Sequence, residues 1–392
     1  MRLARPGLRA GAVSVLVFLA AACGTSTAPS PVPSVARSSR SAQPTSAATP
    51  ATTPSVASPR QETPPPYVMG GFPAFPAGSL TASSAEALQG VLDATVETGT
   101  FAGITAAVIV ADRGSWAGAS GSSAGGPLTL ESRRPTHSSA KTIVAAQLLR
   151  LAEDGRLGLD DPASRYLPRE LAFFDANGAT IRQVLGMRSG IPDLNESAGF
   201  YPAEQASTTV DVFKTLSEPR VSPGDELHYA STNYVLLGAI IEHIAGRRLS
   251  DALRAGVLDR PGLEGIAYTV DDALAADGWG VETTPASWAR WGYELYGGSV
   301  ISEASLREMT DFRGEWYGLG TIDFSGSFGV PAVGHYGESS ATTCCSVIKL
   351  AALPEEGIVI SVQADTGDSI SDRDYFRALD ALTRALRNAA RT

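Results

Sequence analysis

The segment Asn233–Ala245 restricts the possible folds more than any other part of the chain. Its sequence, N-Y-V-L-L-G-A-I-I-E-H-I-A, is apolar on nearly all sides of a helix, so this helix must lie inside a core. Runs typical of strands occur on both sides of it, at Ile104–Ala111, Cys345–Leu353 and Ile358–Gln363. We therefore predict an α/β (α+β) fold. An antiparallel sheet is built from both chain ends and flanked by helices, and a mostly helical region is inserted between.

The first residues have the features of an export signal. Three arginines precede an apolar run over 12–22, which is too short to span a bilayer as a mature helix. The run ends in L-A-A-A-C-G, which resembles a bacterial lipoprotein signal with Cys23 at the lipidated position. We predict a signal peptide over 1–22 and a lipid anchor on Cys23; the alternative is an ordinary cleaved signal. The anchored protein would stay at the outer face of the cytoplasmic membrane, in the cell envelope.

A long tether is predicted between the anchor and the folded part. Residues 23–80 are mostly Ser, Thr, Pro and Ala without apolar periodicity, and such a composition cannot bury enough surface to fold. We therefore predict a disordered tether over 23–80 and one folded domain over 81–392.

Composition argues against several kinds of partner. The net charge is −10 and no basic run interrupts the chain, so we expect no nucleic-acid partner. The four histidines are scattered, and no spacing of His, Cys and carboxylates is typical of zinc, so we predict no metal and no cofactor. Cys344 and Cys345 are adjacent and could form a disulfide only through a strained ring, so we expect two thiols.

A serine and a lysine at the start of an apolar helix are the main candidates for chemistry. In H-S-S-A-K-T-I-V-A-A-Q-L-L-R-L, Ser138 and Lys141 are three residues apart and lie on one helix face. Loss of hydration lowers the pKa of such a lysine, and a neutral amine beside a hydroxyl is a usable base. The alternative is a lysine that extends from a core helix to solvent. A second copy of the spacing, Ser346 and Lys349, lies in a predicted strand, where residues three apart face opposite sides.

Ser123 also occurs in a motif. It is the central serine of G-S-S-A-G, which has the G-x-S-x-G pattern of a nucleophile elbow, but an elbow requires a helix directly after it. Gly126 and Pro127 follow instead, so we interpret the segment as a flexible turn. An α/β-hydrolase that uses Ser123 is the weakest alternative.

Four stretches in order resemble one family. They are Ser138-x-x-Lys141 followed by E-D-G-R-L-G-L-D-D-P, then L-G-M-R-S-G-I-P-D-L, then L-H-Y-A-S before the buried helix, and finally G-H-Y-G. Over residues 83–390, their order and spacing are similar to those of the class C β-lactamase and penicillin-binding-protein-like serine hydrolases. The resemblance implies a serine β-lactamase/transpeptidase-like fold, with the active site between an antiparallel sheet and a helical region.

The resemblance also implies a role for each matching residue. Ser138 corresponds to the acylated nucleophile, Lys141 to its neighbouring base and Tyr229 to a second base. The substrate-binding or supporting positions are Ser231, His335, Gly337 and Glu338. The backbone N–H groups of Ser138 and Glu338 correspond to the oxyanion hole, which stabilises a developing negative charge.

Departures from the family pattern affect the expected substrate. Ser231 replaces an asparagine, and Tyr336 and Glu338 lie where penicillin-recognising relatives hold a substrate carboxylate. Because an anionic substrate would be repelled there, we expect hydrolysis of uncharged esters or amides, on a small-molecule or peptidoglycan-like substrate. The alternatives are a weakly active or inactive binding or regulatory lipoprotein of the envelope, and a β-lactamase or D-Ala-D-Ala carboxypeptidase.

Overall fold

The computed structural model describes residues 71–194, 208–219, 221–270, 272–338, 346–365 and 372–392. The predicted signal peptide, Cys23 and the predicted tether up to residue 70 lie outside these ranges, as do Cys344 and Cys345. Within the described ranges, no helix is long and apolar enough to cross a membrane.

The strands form a large and a small antiparallel sheet. Their bounds are β1 Gly103–Val110, β2 Gly114–Ser123, β3 Gly126–Pro127, β4 Arg134–Pro135, β5 Ala267–Tyr268, β6 Val281–Thr283, β7 Ile322–Asp323, β8 Val333–Glu338, β9 Ser346–Leu353 and β10 Ile358–Asp365. The large sheet has seven strands in the order β3-β2-β1-β10-β9-β8-β7, and the small sheet has the order β4-β6-β5. Strand β1 pairs with β10, from Gly103 opposite Asp365 to Val110 opposite Ile358. This confirms the predicted sheet that is built from both chain ends.

The middle of the chain is helical, as predicted. The helices are α1 Ala82–Glu97, α2 Lys141–Glu153, α3 Ile181–Leu185, α4 Thr209–Thr215, α5 Thr232–Ala245, α6 Leu249–Leu253, α7 Pro285–Tyr296, α8 Glu303–Met309, α9 Ser325–Phe328 and α10 Asp372–Arg391. Helices α2 to α6 follow one another between β4 and β5. The first ten residues of α5 are all buried, which agrees with its apolar sequence.

Helices α7 and α10 cover opposite faces of the large sheet. A Cβ at Gly292 of α7 would lie 2.7 Å from the side chain of Leu350 on β9, so α7 packs closely on that face. The preceding residue of the same strand, Lys349, forms an ion pair with Asp380 of α10. Since neighbouring residues of a strand point to opposite faces, the two helices lie on different sides of the sheet.

The same alternation separates two residues of the predicted third motif. On β8, His335 is paired with Leu350, and Tyr336 is paired with Lys349. Directly opposed residues share a face, so His335 lies on the α7 face and Tyr336 on the α10 face. The ring of Tyr336 packs edge-on against Phe376 of α10, with centroids 4.7 Å apart.

The prediction of a flexible turn around Ser123 is wrong. Strand β2 continues through Ser123, and Gly121 lies opposite Gly103 of β1. A glycine- and serine-rich sequence has little local preference for a strand, but the backbone of β1 supplies the hydrogen bonds. A turn to β3 follows Ser123, with Gly126 as its partner, so the helix that a nucleophile elbow requires is absent at this point.

Candidate active site

The small sheet fixes the turn that contains Ser138. Strand β4 leads into this turn, and β6 follows Asp277 and Gly278 in the chain. Both the backbone N–H and the hydroxyl of Thr136 donate to the carbonyl of Val281, at 2.8 and 3.0 Å. These bonds hold the segment around Asp277 beside the Ser138 turn. The sheet was not predicted, because its strands have only two or three residues each.

Ser138 lies in a short 3-10 turn, His137–Ala140, directly before α2. Two glycines from distant segments press against this turn. A Cβ at Gly278 would lie 1.7 Å from the His137 carbonyl oxygen, and one at Gly337 would lie 2.8 Å from the Ser138 nitrogen. Only glycine allows such close approach of one backbone to another. Gly337 therefore brings the end of β8 next to Ser138.

Lys141 is fully buried, which excludes the alternative of an amine that extends to solvent. Its Nζ donates to the hydroxyl of Ser138 at 2.9 Å, to the carbonyl of Asp277 at 2.8 Å and to the hydroxyl of Ser231 at 3.4 Å. Burial lowers the pKa of Lys141 to about 8, although the charges of Asp277 and Asp193 oppose this shift. A fraction of the amine is therefore neutral near pH 7 and can accept a proton.

The phenol of Tyr229 adjoins the hydroxyl of Ser138, which lowers the pKa of the phenol against the larger effect of burial. Its ring stacks on Trp316, with centroids 6.1 Å apart and an interplanar angle of 21°, and it meets Tyr317 edge-on at 5.6 Å. The Nζ of Lys141 lies 5.4 Å from the centre of the same ring. Burial raises the pKa of Tyr229 well above its ordinary value, so its phenol stays protonated.

Ser231 joins this cluster through the start of α5. Its backbone N–H donates to a carboxylate oxygen of Asp193 at 2.8 Å, and its hydroxyl faces Lys141. Asp193 belongs to the L-G-M-R-S-G-I-P-D-L stretch. The next residue, Leu194, donates its backbone N–H to the hydroxyl of Thr232 at 2.6 Å. The stretch thus supports the residues that carry the second motif.

His335 is buried and uncharged. One ring nitrogen, Nδ1, lies 2.5 Å from the carbonyl oxygen of Tyr336, and since a carbonyl can only accept, Nδ1 carries the proton. The other nitrogen, Nε2, then accepts from the hydroxyl of Tyr317 at 3.3 Å. Burial lowers the pKa of His335 to about 3, and the charge of Lys141 adds to this effect. His335 therefore provides no positive charge for a substrate carboxylate.

The structure brings some of the predicted site residues together and leaves others apart. Ser138, Lys141, Tyr229 and Ser231 form one cluster, in which Lys141 is hydrogen-bonded to Ser138 and Ser231 and the phenol of Tyr229 adjoins Ser138. The end of β8 adjoins this cluster through Gly337, with the exposed Glu338 as the next residue. The ring of His335 meets the cluster through Tyr317, and its backbone carbonyl accepts from the hydroxyl of Ser139 at 3.5 Å. Tyr336 lies on the other face of the sheet. Among the described residues, no group of three or more His, Cys, Asp and Glu side chains is placed to hold a metal ion.

Two tryptophans of α7 support the cluster and were missed. The indole N–H of Trp288 donates to the hydroxyl of Ser139 at 3.2 Å, and that of Trp291 donates to the hydroxyl of Thr142 at 2.9 Å. Both indoles are fully buried. The sequence contains a signal for them, because two tryptophans three residues apart share one face of a helix, and buried indoles must find acceptors for their N–H groups.

Comparison with known proteins identifies the family. The β-lactamase family pattern matches residues 88–383. A penicillin-binding protein of Bacillus subtilis is 29% identical over 136 residues, which cover 33% of this chain and 29% of that protein. Protein flp of Staphylococcus aureus is 31% identical over 110 residues, which cover 27% of this chain and 22% of that protein. The chain thus spans less than a third of the length of these curated relatives.

Solved structures show the same fold. A D-stereospecific amidohydrolase from Streptomyces sp. is 24% identical, with a TM-score of 0.60 over 75% of this chain and 98% of that chain. The D-amino acid amidase from Ochrobactrum anthropi is 22% identical, with a TM-score of 0.64 over 79% and 99%. An octameric penicillin-binding protein homologue from Pyrococcus abyssi is 22% identical, with a TM-score of 0.59 over 76% of each chain.

Proposed function

Because the chain belongs to the β-lactamase family of serine hydrolases, we propose that it forms an acyl-enzyme on Ser138 and hydrolyses esters or amides in the cell envelope. The hydrogen bond of 2.9 Å between the Nζ of Lys141 and the hydroxyl of Ser138 carries this proposal. The buried lysine has a pKa near 8 and can act as a base. The hydroxyl in contact with it is thereby an activated nucleophile.

Acylation begins when the neutral amine of Lys141 accepts the proton of the Ser138 hydroxyl. The Oγ of Ser138 forms a bond to the substrate carbonyl carbon, and the carbonyl oxygen becomes an oxyanion. The N–H groups of Ser138 and Glu338 stabilise this oxyanion. The bond to the leaving alcohol or amine then breaks, and the proton held by Lys141 passes to the leaving group. The phenol of Tyr229, which adjoins Ser138, relays that proton.

Deacylation uses the same groups in the reverse order. A water molecule gives a proton to Lys141 through the Tyr229 phenol while its oxygen bonds to the acyl carbon. The bond between that carbon and the Oγ of Ser138 breaks, Ser138 regains a proton from Lys141, and a carboxylic acid leaves. The raised pKa of Tyr229 favours Lys141 as the base and Tyr229 as the relay.

The charges around the cluster favour an uncharged substrate. His335 is neutral, and the exposed carboxylate of Glu338 is near enough to the cluster to raise the pKa of Tyr229. A substrate with a carboxylate near the scissile bond would meet repulsion at this position. Amino-acid amides lack the carboxylate that would be repelled here, although their amino group is partly protonated near pH 7. They are candidates because two proteins of similar structure are a D-amino acid amidase and a D-stereospecific amidohydrolase.

Export and lipid anchoring are part of the proposal and depend on the first 23 residues alone. Cys23 would carry the lipid and place the domain at the outer face of the cytoplasmic membrane. In the native host, the full-length protein is expected in the membrane fraction, and Cys23→Ala should move it to the soluble fraction. A Cys23→Ala variant that stays with the membrane would contradict the lipid anchor.

The nucleophile is tested by covalent labelling. The purified domain is incubated with a fluorescent fluorophosphonate or a fluorescent penicillin, and hydrolysis of p-nitrophenyl acetate and of D-phenylalanine amide is measured. We expect the fluorophosphonate to label the wild-type protein and Ser123→Ala equally, and to leave Ser138→Ala unlabelled and inactive. A labelled, active Ser138→Ala variant would refute the proposal.

The rival functions give other results in the same experiment. Rapid turnover of penicillins, or release of D-alanine from D-Ala-D-Ala peptides, at rates above those for neutral esters and amides would identify a β-lactamase or a carboxypeptidase. A folded wild-type protein that forms no adduct with either probe would identify a non-catalytic binding protein of the envelope.

A further inference from the structure

Two tryptophans near Ser138 are exposed. The exposed large apolar side chains of the described residues are Leu130, Phe173, Trp279 and Trp316. Trp316 and Trp279 are 41% and 42% exposed. An indole in water forgoes a large hydrophobic stabilisation, and exposed aromatic side chains at the mouth of a site are typical of surfaces that bind a ligand.

Trp316 is in direct contact with the proposed catalytic cluster. One side of its indole stacks on the ring of Tyr229, whose hydroxyl contacts Ser138. The indole also meets Tyr317 at an interplanar angle of 71°, with centroids 5.4 Å apart. Trp316 is therefore separated from the nucleophile only by the ring of Tyr229, whose phenol adjoins Ser138, and the part of the indole that these rings leave uncovered faces solvent.

Trp279 brings a second indole to the same neighbourhood. Its backbone N–H donates to a carboxylate oxygen of Asp277 at 2.8 Å, and the carbonyl of Asp277 accepts from Lys141. The residue between them, Gly278, touches the Ser138 turn. Two separate segments, 277–279 and 316–317, thus place an exposed tryptophan close to the residues that would carry the reaction.

The two rings in contact with Trp316, those of Tyr229 and Tyr317, are uncharged, as is His335 behind Tyr317. Burial raises the pKa values of Tyr229 and Tyr317 well above the ordinary range and keeps His335 neutral. A charged group of a substrate would find no counter-charge among these three rings. A flat apolar ring would gain stacking and hydrophobic contact at no electrostatic cost.

We propose that Trp316 is a specificity-determining residue that binds an aromatic group of the substrate on its exposed face. The substrates are then neutral esters or amides that carry an aromatic ring one or two bonds from the scissile carbonyl. This inference rests on the proposed function, because it takes Ser138 as the nucleophile.

The test uses boronic acids, which bind a serine nucleophile without turnover. Inhibition constants of benzylboronic acid and methylboronic acid are measured against p-nitrophenyl acetate hydrolysis. The wild-type protein should prefer the benzyl compound by about tenfold, which corresponds to about 1.4 kcal/mol. Trp316→Ala should reduce this preference to about twofold, and Trp316→Phe should retain about half of it on a logarithmic scale.

Phe173→Ala provides the matched control. Phe173 is 54% exposed, and the neighbouring Phe174 packs against Phe213 of α4, which carries none of the cluster residues. Its replacement should leave the ratio of the two inhibition constants unchanged. Equal ratios in wild type and Trp316→Ala would overturn the role of Trp316. Failure of both boronic acids to inhibit the wild-type protein would instead refute acylation at Ser138, and with it the basis for this inference.

Discussion

Ser138–Lys141 and Ser346–Lys349 have the same spacing in the sequence but lie in different secondary structures. The first pair lies where a 3-10 turn runs into α2, and its amine and hydroxyl are 2.9 Å apart. The second pair lies on β9, and its members use other partners. Ser346 bonds to the ring of His137 at 2.7 Å, and Lys349 forms an ion pair with Asp380. Secondary structure thus decides whether this spacing yields a reactive pair.

The partners of the two lysines differ as much as their backbones. Burial lowers the pKa of both amines. Lys141 donates to uncharged oxygen atoms, so its deprotonation leaves no charged partner in direct contact. Lys349 contacts the carboxylate of Asp380, which favours the charged ammonium. Burial alone therefore does not make a lysine a base; the charge of its nearest partner matters as well.

Replacement of each lysine by methionine should give the largest difference between the two pairs. Lys141→Met should reduce kcat/KM for p-nitrophenyl acetate about a thousandfold, since it removes the proposed general base. Lys349→Met should keep kcat/KM within about threefold but lower the free energy of unfolding by roughly 1–2 kcal/mol, because Asp380 loses its ion-pair partner although it keeps the hydrogen bond from Ser327. Ester hydrolysis and chemical denaturation measure both effects. Similar losses of activity in the two variants would contradict the distinction.

The pH dependence of kcat/KM distinguishes the two lysines. Below pH 8 the amine of Lys141 is mostly protonated and cannot accept a proton, so kcat/KM should increase with pH, bend near pH 8 and level off above it. His335, with a pKa of about 3, and Tyr229, with a raised pKa, do not titrate in this range. The profile is measured from pH 6 to 10, and Lys349→Met should give the same bend. A profile that falls through pH 8 would exclude a lysine base.

The sequence predicts those parts of the molecule that local patterns specify. The buried helix α5, the helical middle of the chain and the strands from both ends follow from apolar periodicity. The order of the family motifs singles out Ser138, Lys141, Tyr229 and Ser231, which lie together. The long strand β2 was missed at its end, because its glycines and serines pair through backbone bonds with β1 rather than through an apolar face.

Contacts between distant segments account for what the sequence leaves open. Asp277 approaches Lys141 only because β6 pairs with β4, and nothing in the local sequence indicates this pairing. The position of Tyr336 depends on the register of β8 against β9, since a shift of one residue would exchange its face with that of His335. Such features require the tertiary structure.

The indoles of α7 support only the first of the two pairs, which gives a third way to test the comparison. The double variant Trp288→Phe, Trp291→Phe keeps a smaller aromatic ring at each position and removes the N–H donors to Ser139 and Thr142. We expect kcat to fall roughly five- to thirtyfold with little change in KM, at about 1 kcal/mol for each lost bond. Tyr293→Phe, which removes the bond from the same helix to Pro73, is the control and should keep kcat. Equal losses in the control would mean that the effect is general destabilisation.

The smallest expected effect concerns a hydrogen bond between Ser346 of the second pair and the turn that contains Ser138. Ser346→Ala removes the contact between its hydroxyl and Nε2 of His137, the residue directly before Ser138. Because this bond fixes the nucleophile turn but does not contact the reacting atoms, kcat should fall about two- to fivefold while KM stays constant. Ser361→Ala is a matched control, since the buried hydroxyl of Ser361 has no hydrogen-bond partner among the described residues. A loss in Ser346→Ala no larger than in Ser361→Ala would show that β9 gives the nucleophile turn no support through His137.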